Sequence, residues 1–546
     1  MNPEATHSDA LVDVVIVGAG PSGAVSAKRF AQAGFSVVCL EQGDYPDYTL
    51  TQHEGEAYEL ARWRHFGWNP NQRRAGADYP VNDAESDVSA LMWNGVGGSS
   101  VLYAAAWHRL KPSDFRVRSV DGVADDWPLS YADLAPFYDR VDVDFSVSGV
   151  GGDPASPHFE VPLPPFAFTE VERRMFAAFD RLGWHLWPGS NAIASVKHGN
   201  LQPCVRRGAC MWACFDGAKA SVDRTHWPAC IKLGVKLRTN SRALRIEHDA
   251  QGLASGVTYK DRKTGQVRFQ PGRRVVLACN GIGTPRLLLH SRSTRFPHGL
   301  ANTSGLVGKR LMMHPVSLVG GLFEDFIGGW EGPFGQRAYS LQFAETQAGQ
   351  DFVRGAKLQL MGGGPPLGHV GPFPWGTDDD WGQGFHRQIR QRFGHSMFFS
   401  ILAEDLPDEA NRVELDPTLT DDDGMPAPRL IYRASDNTRR LLAFSEGMAQ
   451  RALVEAGAYQ TVVAPIVRDT GWHVLGSTCM GEDPRRSVVD AWGRCHDVPN
   501  LFVFDGSVMP TTGCVNPTGT IAALALRNTE QAIAQAQTQR GNAAQA

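Results

Sequence analysis

The chain reads as an α/β protein built on a doubly wound, Rossmann-like parallel sheet, and two segments and a pattern of glycines predict it. In DVVIVGAGPSGAVSAKRFAQAGFSVVCLEQG an apolar strand, a G-x-G-x-x-G turn, a helix, a second strand and an acid follow one another. RRVVLACNGIGTPRLLLHS repeats the order strand, glycine turn, helix, as a neighbouring βα unit of the same sheet would. The 58 glycines cluster at Gly18 to Gly23, Gly95 to Gly98, Gly362 to Gly364 and near Gly519, where tight turns or close backbone approach to a ligand are expected.

Val14 to Val17 form a continuous apolar run of the kind buried on both faces of a parallel sheet. Gly18, Gly20 and Gly23 follow directly, Ala24 to Ala33 carry a helical apolar period, and Gly34 ends the helix. Phe35 to Leu40 form the second strand, and Glu41 stands at its end, 18 positions after Gly23. An acid there accepts hydrogen bonds from a ribose 2′-hydroxyl and favours a dinucleotide without a 2′-phosphate, while the glycines admit a pyrophosphate to the helix N-terminus. This pattern alone does not separate FAD from NAD.

The 546 residues are 42% hydrophobic and 20% charged, with a formal net charge of −5. This describes a folded chain large enough for more than one core. No basic stripe interleaved with aromatics is present, which argues against a nucleic-acid partner. No run is apolar for long enough to span a bilayer, and MNPEATHSDA lacks the features of a secretory signal, so a cytoplasmic location is expected. Export together with a signal-bearing partner is the alternative.

Three further segments carry a resemblance. WNGVGGSSVLYAAAWHRLKPSDF, GIGTPRLLL, and the C-terminal GWHVLGSTCMG followed by NLFVFDGSVMPTTGCVNPTGTIAALALR resemble the successive signatures of the glucose-methanol-choline (GMC) flavin oxidoreductases. DWPLSYADLAPFY resembles the bacterial gluconate, fructose, sorbitol and glucose dehydrogenase flavoproteins. The resemblance implies a discontinuous FAD domain (about 8–50, 85–120 and 200–310), cap segments at about 51–84 and 121–199, an α+β substrate domain on an antiparallel sheet at 311–466, and a catalytic C-terminal part at 467–546. It places FAD against Gly18, Gly20, Gly23, Glu41, Asn94, Gly97, Gly98, Ser99, Ala243, Asp505, Gly506, Pro517 and Thr518, with the adenine near Ala243. Some members bind FAD covalently through a histidine after the paired glycines. Here Val101, Leu102 and Tyr103 stand in that region and His108 is displaced from it, so non-covalent FAD is expected.

Oxidising an alcohol needs a base that is neutral near working pH and within reach of the hydroxyl, and histidine meets both conditions. His473 occupies the family's catalytic position, and Asn516 stands where the family places a second polar group facing the same oxygen. Pro517 suits the first turn of a helix, and Ile521 to Arg527 read as helical. That helix start would aim its positive end at the flavin. Trp330, Phe373, Trp375 and Trp381 are candidates for stacking on a substrate ring or for packing.

The expected reaction is hydride transfer from an alcohol, sugar or aromatic alcohol to flavin N5. Electrons then pass to a quinone, cytochrome or dye, with a cytochrome or small subunit as a potential partner. A peroxide-forming oxidase is the near alternative, and a FAD-containing lyase the alternative of another class. Cys204, Cys210 and Cys214 form C-x5-C-x3-C. The spacing resembles the cluster-bearing glucose dehydrogenases, yet packed thiols are the preferred reading, and zinc lacks a fourth ligand at a usual spacing.

Overall fold

The computed structural model describes residues 7–51, 58–364, 366–369, 382 and 384–545. Phe373, Trp375 and Trp381 lie outside them. The first apolar run is the strand Val12–Val17, buried along nearly its whole length. It pairs in parallel with Val37–Leu40 on one side and with the C-terminal half of Val267–Leu277 on the other. Lys236–Arg238 extends this parallel sheet beyond Val37–Leu40, and Leu501–Val503 pairs in parallel with Val267–Leu277. The N-terminal half of Val267–Leu277 turns into an antiparallel meander with Ala254–Asp261 and Ser241–His248. One long strand therefore joins the two arrangements.

Two glycine turns meet at the top of the parallel strands. Gly18 has φ +102°, and a Cβ there would lie 2.4 Å from Ala278 O, while a Cβ on Gly23 would lie 2.0 Å from Gly18 O. Only glycine allows this approach. The helix Pro21–Gln32 starts on Gly20 with Pro21 in its first turn and packs against the C-terminal helix Thr518–Gln545, where Thr529 Oγ1 donates to Ser26 Oγ at 3.0 Å. The helix Tyr131–Asp144, read from the sequence as cap, packs on this same layer: Tyr138 Oη shares a 2.7 Å hydrogen bond with Thr520 Oγ1.

A second sheet of six antiparallel strands runs in the order Gln460–Ala464, Val316–Leu322, Ser396–Ala403, Ala356–Gly362, Ala338–Ser340 and Trp187–Pro188. Its central strands are buried on both faces. Leu358, Leu360, Phe399 and Ile401 pack in one apolar core with Val171, Met175 and Phe179 of the helix Glu170–Leu182 and Leu441, Leu442 and Leu453 of Asp436–Glu455. The alternating residues Gln359, Met361, Phe398, Ser400 and Leu402 line a cavity instead, as the period of two in a strand requires. The sheet is thus the roof of that cavity, and the two glycine turns are part of its floor. Among the described residues, no helix is long and apolar enough to cross a membrane.

Candidate active site

The cavity holds about 660 Å³. Of the residues expected at the cofactor, Gly18, Gly20, Glu41, Asn94, Gly98, Ser99, Ala243, Asp505, Gly506, Pro517 and Thr518 line it, whereas Gly23 and Gly97 stand behind the lining. Gly23 seats the helix on the strand. Gly97, at φ +100°, turns the loop so that a Cβ on Gly98 would come 2.7 Å from Gly20 Cα. Gly20 differs from its neighbours: a Cβ there would meet nothing closer than Gly98 Cα at 3.7 Å, so its open side faces the cavity.

Glu41 accepts from the backbone N–H of Ala19 at 2.9 Å and of Gly43 at 3.0 Å, one bond to each carboxylate oxygen. Burial pushes its carboxyl above the usual range, and those backbone bonds oppose the shift. Each oxygen keeps a second lone pair for a ligand hydroxyl. Asp505 is held in the same way, accepting from Ser507 N at 2.9 Å and from Thr284 Oγ1 at 2.5 Å. Pro517 and Thr518 open the C-terminal helix at the cavity wall, where the unpaired N–H groups and helix dipole favour negative charge.

His473 is positioned by a bridge between distant segments. Met312 pairs antiparallel with Leu475, so two residues along each segment His314 stands opposite His473. Their rings meet edge to face with centroids 4.9 Å apart, and the two Nδ1 atoms are 2.7 Å apart. His314 Nε2 lies 2.7 Å from Gly513 O. A carbonyl only accepts, so His314 carries its proton on Nε2 and its Nδ1 is an acceptor. His473 must then donate from Nδ1, which leaves Nε2 unprotonated. Burial lowers the His314 pKa to about 4. Burial, with smaller contributions from His314 and Lys357, pushes His473 well below the ordinary histidine value. The part of His473 that is not covered by protein opens into the cavity it lines. The result is a neutral imidazole with a free lone pair.

Asn516 also lines the cavity, and its Oδ1 accepts from Lys357 Nζ. His314 and Lys357 are both central to the geometry, and the sequence reading reaches neither. Beside His473, an aromatic wall runs outward. Trp472 packs on Trp68 at 5.3 Å, and Trp68 packs on Trp63 at 4.9 Å and Trp212 at 5.1 Å. Trp63 reaches the surface with 40% of its area exposed. Trp330 instead stacks on Phe393 and does not line the cavity.

The three-cysteine segment forms part of this wall. Met211 lines the cavity and accepts from Trp68 Nε1 through its carbonyl at 2.8 Å. Burial pushes the Cys204 thiol up to about 12 and raises Cys210, and all three side chains pack with the main apolar core. Among the described residues, no group of three or more His, Cys, Asp or Glu side chains is arranged to hold a metal ion. The iron–sulfur alternative therefore finds no support here. His108, the displaced histidine, is buried with Nε2 2.7 Å from Gln336 Oε1 and does not line the cavity.

Comparison with known proteins finds relatives over most of the chain. Residues 12–316 and 407–525 match the two models of the GMC oxidoreductase family. The chain is 36% identical to 2-methyl-1,2-propanediol dehydrogenase of Mycolicibacterium austroafricanum, over 96% of this chain and 95% of that one. It is 33% identical to 6'''-hydroxyparomomycin C oxidase of Streptomyces lividus (96% and 92%) and 29% identical to the fructose dehydrogenase large subunit of Gluconobacter japonicus (94% and 96%). The crystal structure of pyridoxine 4-oxidase from Mesorbium loti shares the fold with a TM-score of 0.63 at 16% identity, covering 95% of this chain and 98% of that one. The chain belongs to the GMC oxidoreductase family.

Proposed function

We propose that the protein is a FAD-dependent dehydrogenase of uncharged alcohols, with His473 as the base. The observation that carries this reading is the His314–His473 hydrogen bond, because it fixes the one tautomer of His473 able to take a hydroxyl proton into the cavity. The family is FAD-binding, and the chain offers a cradle that fits: Gly20 open to the cavity, Glu41 held by backbone donors, Asp505 held by backbone and hydroxyl donors, and a helix start at Thr518. In the stretch directly after the paired glycines, residues 99–110, no histidine lines the cavity, which supports non-covalent binding. When bound, FAD supplies the hydride acceptor.

The residues of this chain account for the proton. His473 Nε2 receives it from the substrate hydroxyl, and the new imidazolium is stabilised through Nδ1–H to His314, whose own Nε2–H donates to Gly513 O. Asn516 donates to the oxygen as its charge develops. The roof residues Val316, Leu318, Met361, Phe398 and Leu402 are apolar, and Gln359 and Ser400 on the same roof are neutral. This supports an aliphatic or aromatic alcohol over a polyhydroxylated sugar, most of whose hydroxyls would be left without hydrogen-bond partners against an apolar wall. The relative named a dehydrogenase, at 36% identity, favours an acceptor other than oxygen. Mixing the holoenzyme anaerobically with a branched C4 alcohol or benzyl alcohol tests the reading. Bleaching of the flavin that persists when air is admitted supports a dehydrogenase, peroxide release on admitting air marks an oxidase, and no bleaching with any alcohol refutes both.

A further inference from the structure

Lys357 is an unusual residue for the middle strand of a buried sheet. It is fully enclosed and shares a strand face with Gln359 and Met361, which line the cavity, and among the described residues no carboxylate pairs with it. Its Nζ lies 2.9 Å from Gln336 Oε1 and 2.6 Å from Gln359 Oε1 and also donates to Asn516 Oδ1. Two of these acceptors are fixed independently of the lysine. Gln336 Nε2 donates to Ser190 O at 3.0 Å, and Gln359 Nε2 donates to Gly335 O, so in both amides the oxygen must face Lys357.

Burial favours the neutral amine and pulls the group well below the usual lysine range. The hydrogen-bond count favours the ammonium, because a neutral amine has only two N–H donors and would turn its lone pair on one of three oxygens. The three acceptors outweigh burial, since one of these short contacts would otherwise become repulsive and leave a buried acceptor unmet.

We propose that Lys357 is a positioning residue for the reaction: as a buried ammonium it clamps Asn516 by its oxygen, turns the Asn516 amino group toward the reacting hydroxyl, and supplies the positive charge against which the alkoxide develops. Three amide oxygens disperse that charge without neutralising it, so it remains effective through Asn516 in a water-poor cavity. The same cation faces the His314–His473 pair and disfavours protonation of both rings, which keeps the base in its working form. His314 and Lys357 are the charged or titratable groups acting on His473, and Cys514 is the one acting on Lys357. The proposal rests on His473 being the base.

Lys357→Met and Lys357→Gln in the FAD-loaded enzyme test it. Gln keeps a donor for Asn516 and drops the charge, so it separates orientation from electrostatics. In the Met variant kcat should fall about 10²-fold with a smaller change in KM, and the acid limb of kcat/KM should move to higher pH as His473 loses a repelling cation. The Gln variant should show the same pH shift with a smaller loss of kcat. Isobutyrate, a non-reacting anion read by its perturbation of the flavin spectrum, should bind about tenfold more weakly to both variants. Unchanged isobutyrate affinity together with an unmoved acid limb would overturn the proposal. Loss of flavin and fold in both variants would assign Lys357 to folding alone and would equally overturn it. If His473→Ala retains activity, the underlying reading fails instead, whatever Lys357 does.

Discussion

His314 Nδ1 and His473 Nδ1 stand 2.7 Å apart, and Gly513 O on the far side of His314 decides which ring donates. The pair works as a tautomer lock. Replacing His314 with Phe keeps an edge-to-face ring but removes the acceptor, so His473 loses its preference for carrying the proton on Nδ1. The expected outcome is a fall in kcat of about 10²-fold with flavin still bound, read by steady-state kinetics beside the absorbance of the purified variant. Unchanged kcat would show that the lock is dispensable.

The pH profile follows from the direction of the His473 shift. The base must be neutral to accept a proton, and an ordinary histidine would be half protonated near pH 6.5. Burial, His314 and Lys357 all lower the His473 pKa, so the working form persists as pH falls. The plateau of kcat/KM should therefore extend from about pH 8 to below about pH 6.5 and fall only at more acid values. A limb centred at the ordinary histidine value would contradict the enclosure of His473.

Gly20 offers a test of the cofactor cradle that spares the fold. Its φ of −77° suits any residue, and an added Cβ would meet protein atoms only at ordinary contact distance. Gly20→Ala should leave the melting temperature of the flavin-free protein nearly unchanged and weaken FAD binding about tenfold or more, by crowding the ligand. Gly18→Ala is the contrast: its Cβ would collide with Ala278 O at φ +102°, so it should destabilise the fold itself. Equal FAD affinity for wild type and Gly20→Ala would move the cofactor away from this turn.

The two glycine turns at the cavity floor were legible because their signals are local. Strand, glycines, helix and Glu41 lie within one short segment, and each carries its own physical requirement. The pairings around His473 and Asn516 are not local. His314 and His473 are 159 residues apart, as are Lys357 and Asn516. In LMMHPV a histidine inside an apolar run gives no sign of its partner, because the Met312–Leu475 bridge that aligns it is set only by the assembled fold. In AKLQLMG the alternation places Lys357 and Gln359 on one strand face, which would ordinarily be read as solvent-facing. The assembled sheet turns that face over the cavity instead. The expected ring-stacking residues show the same limit: the aromatic wall is built from Trp63, Trp68, Trp212 and Trp472, brought together from three separate segments.

The most direct test of the catalytic assignment is anaerobic reduction of the bound flavin by an uncharged alcohol in wild type and in His473→Ala. The wild-type flavin should bleach, and the variant should bind FAD with an undisturbed spectrum while its reduction slows by about 10³-fold. Reduction of the variant at the wild-type rate, with flavin fully bound, would contradict the assignment of His473 as the base.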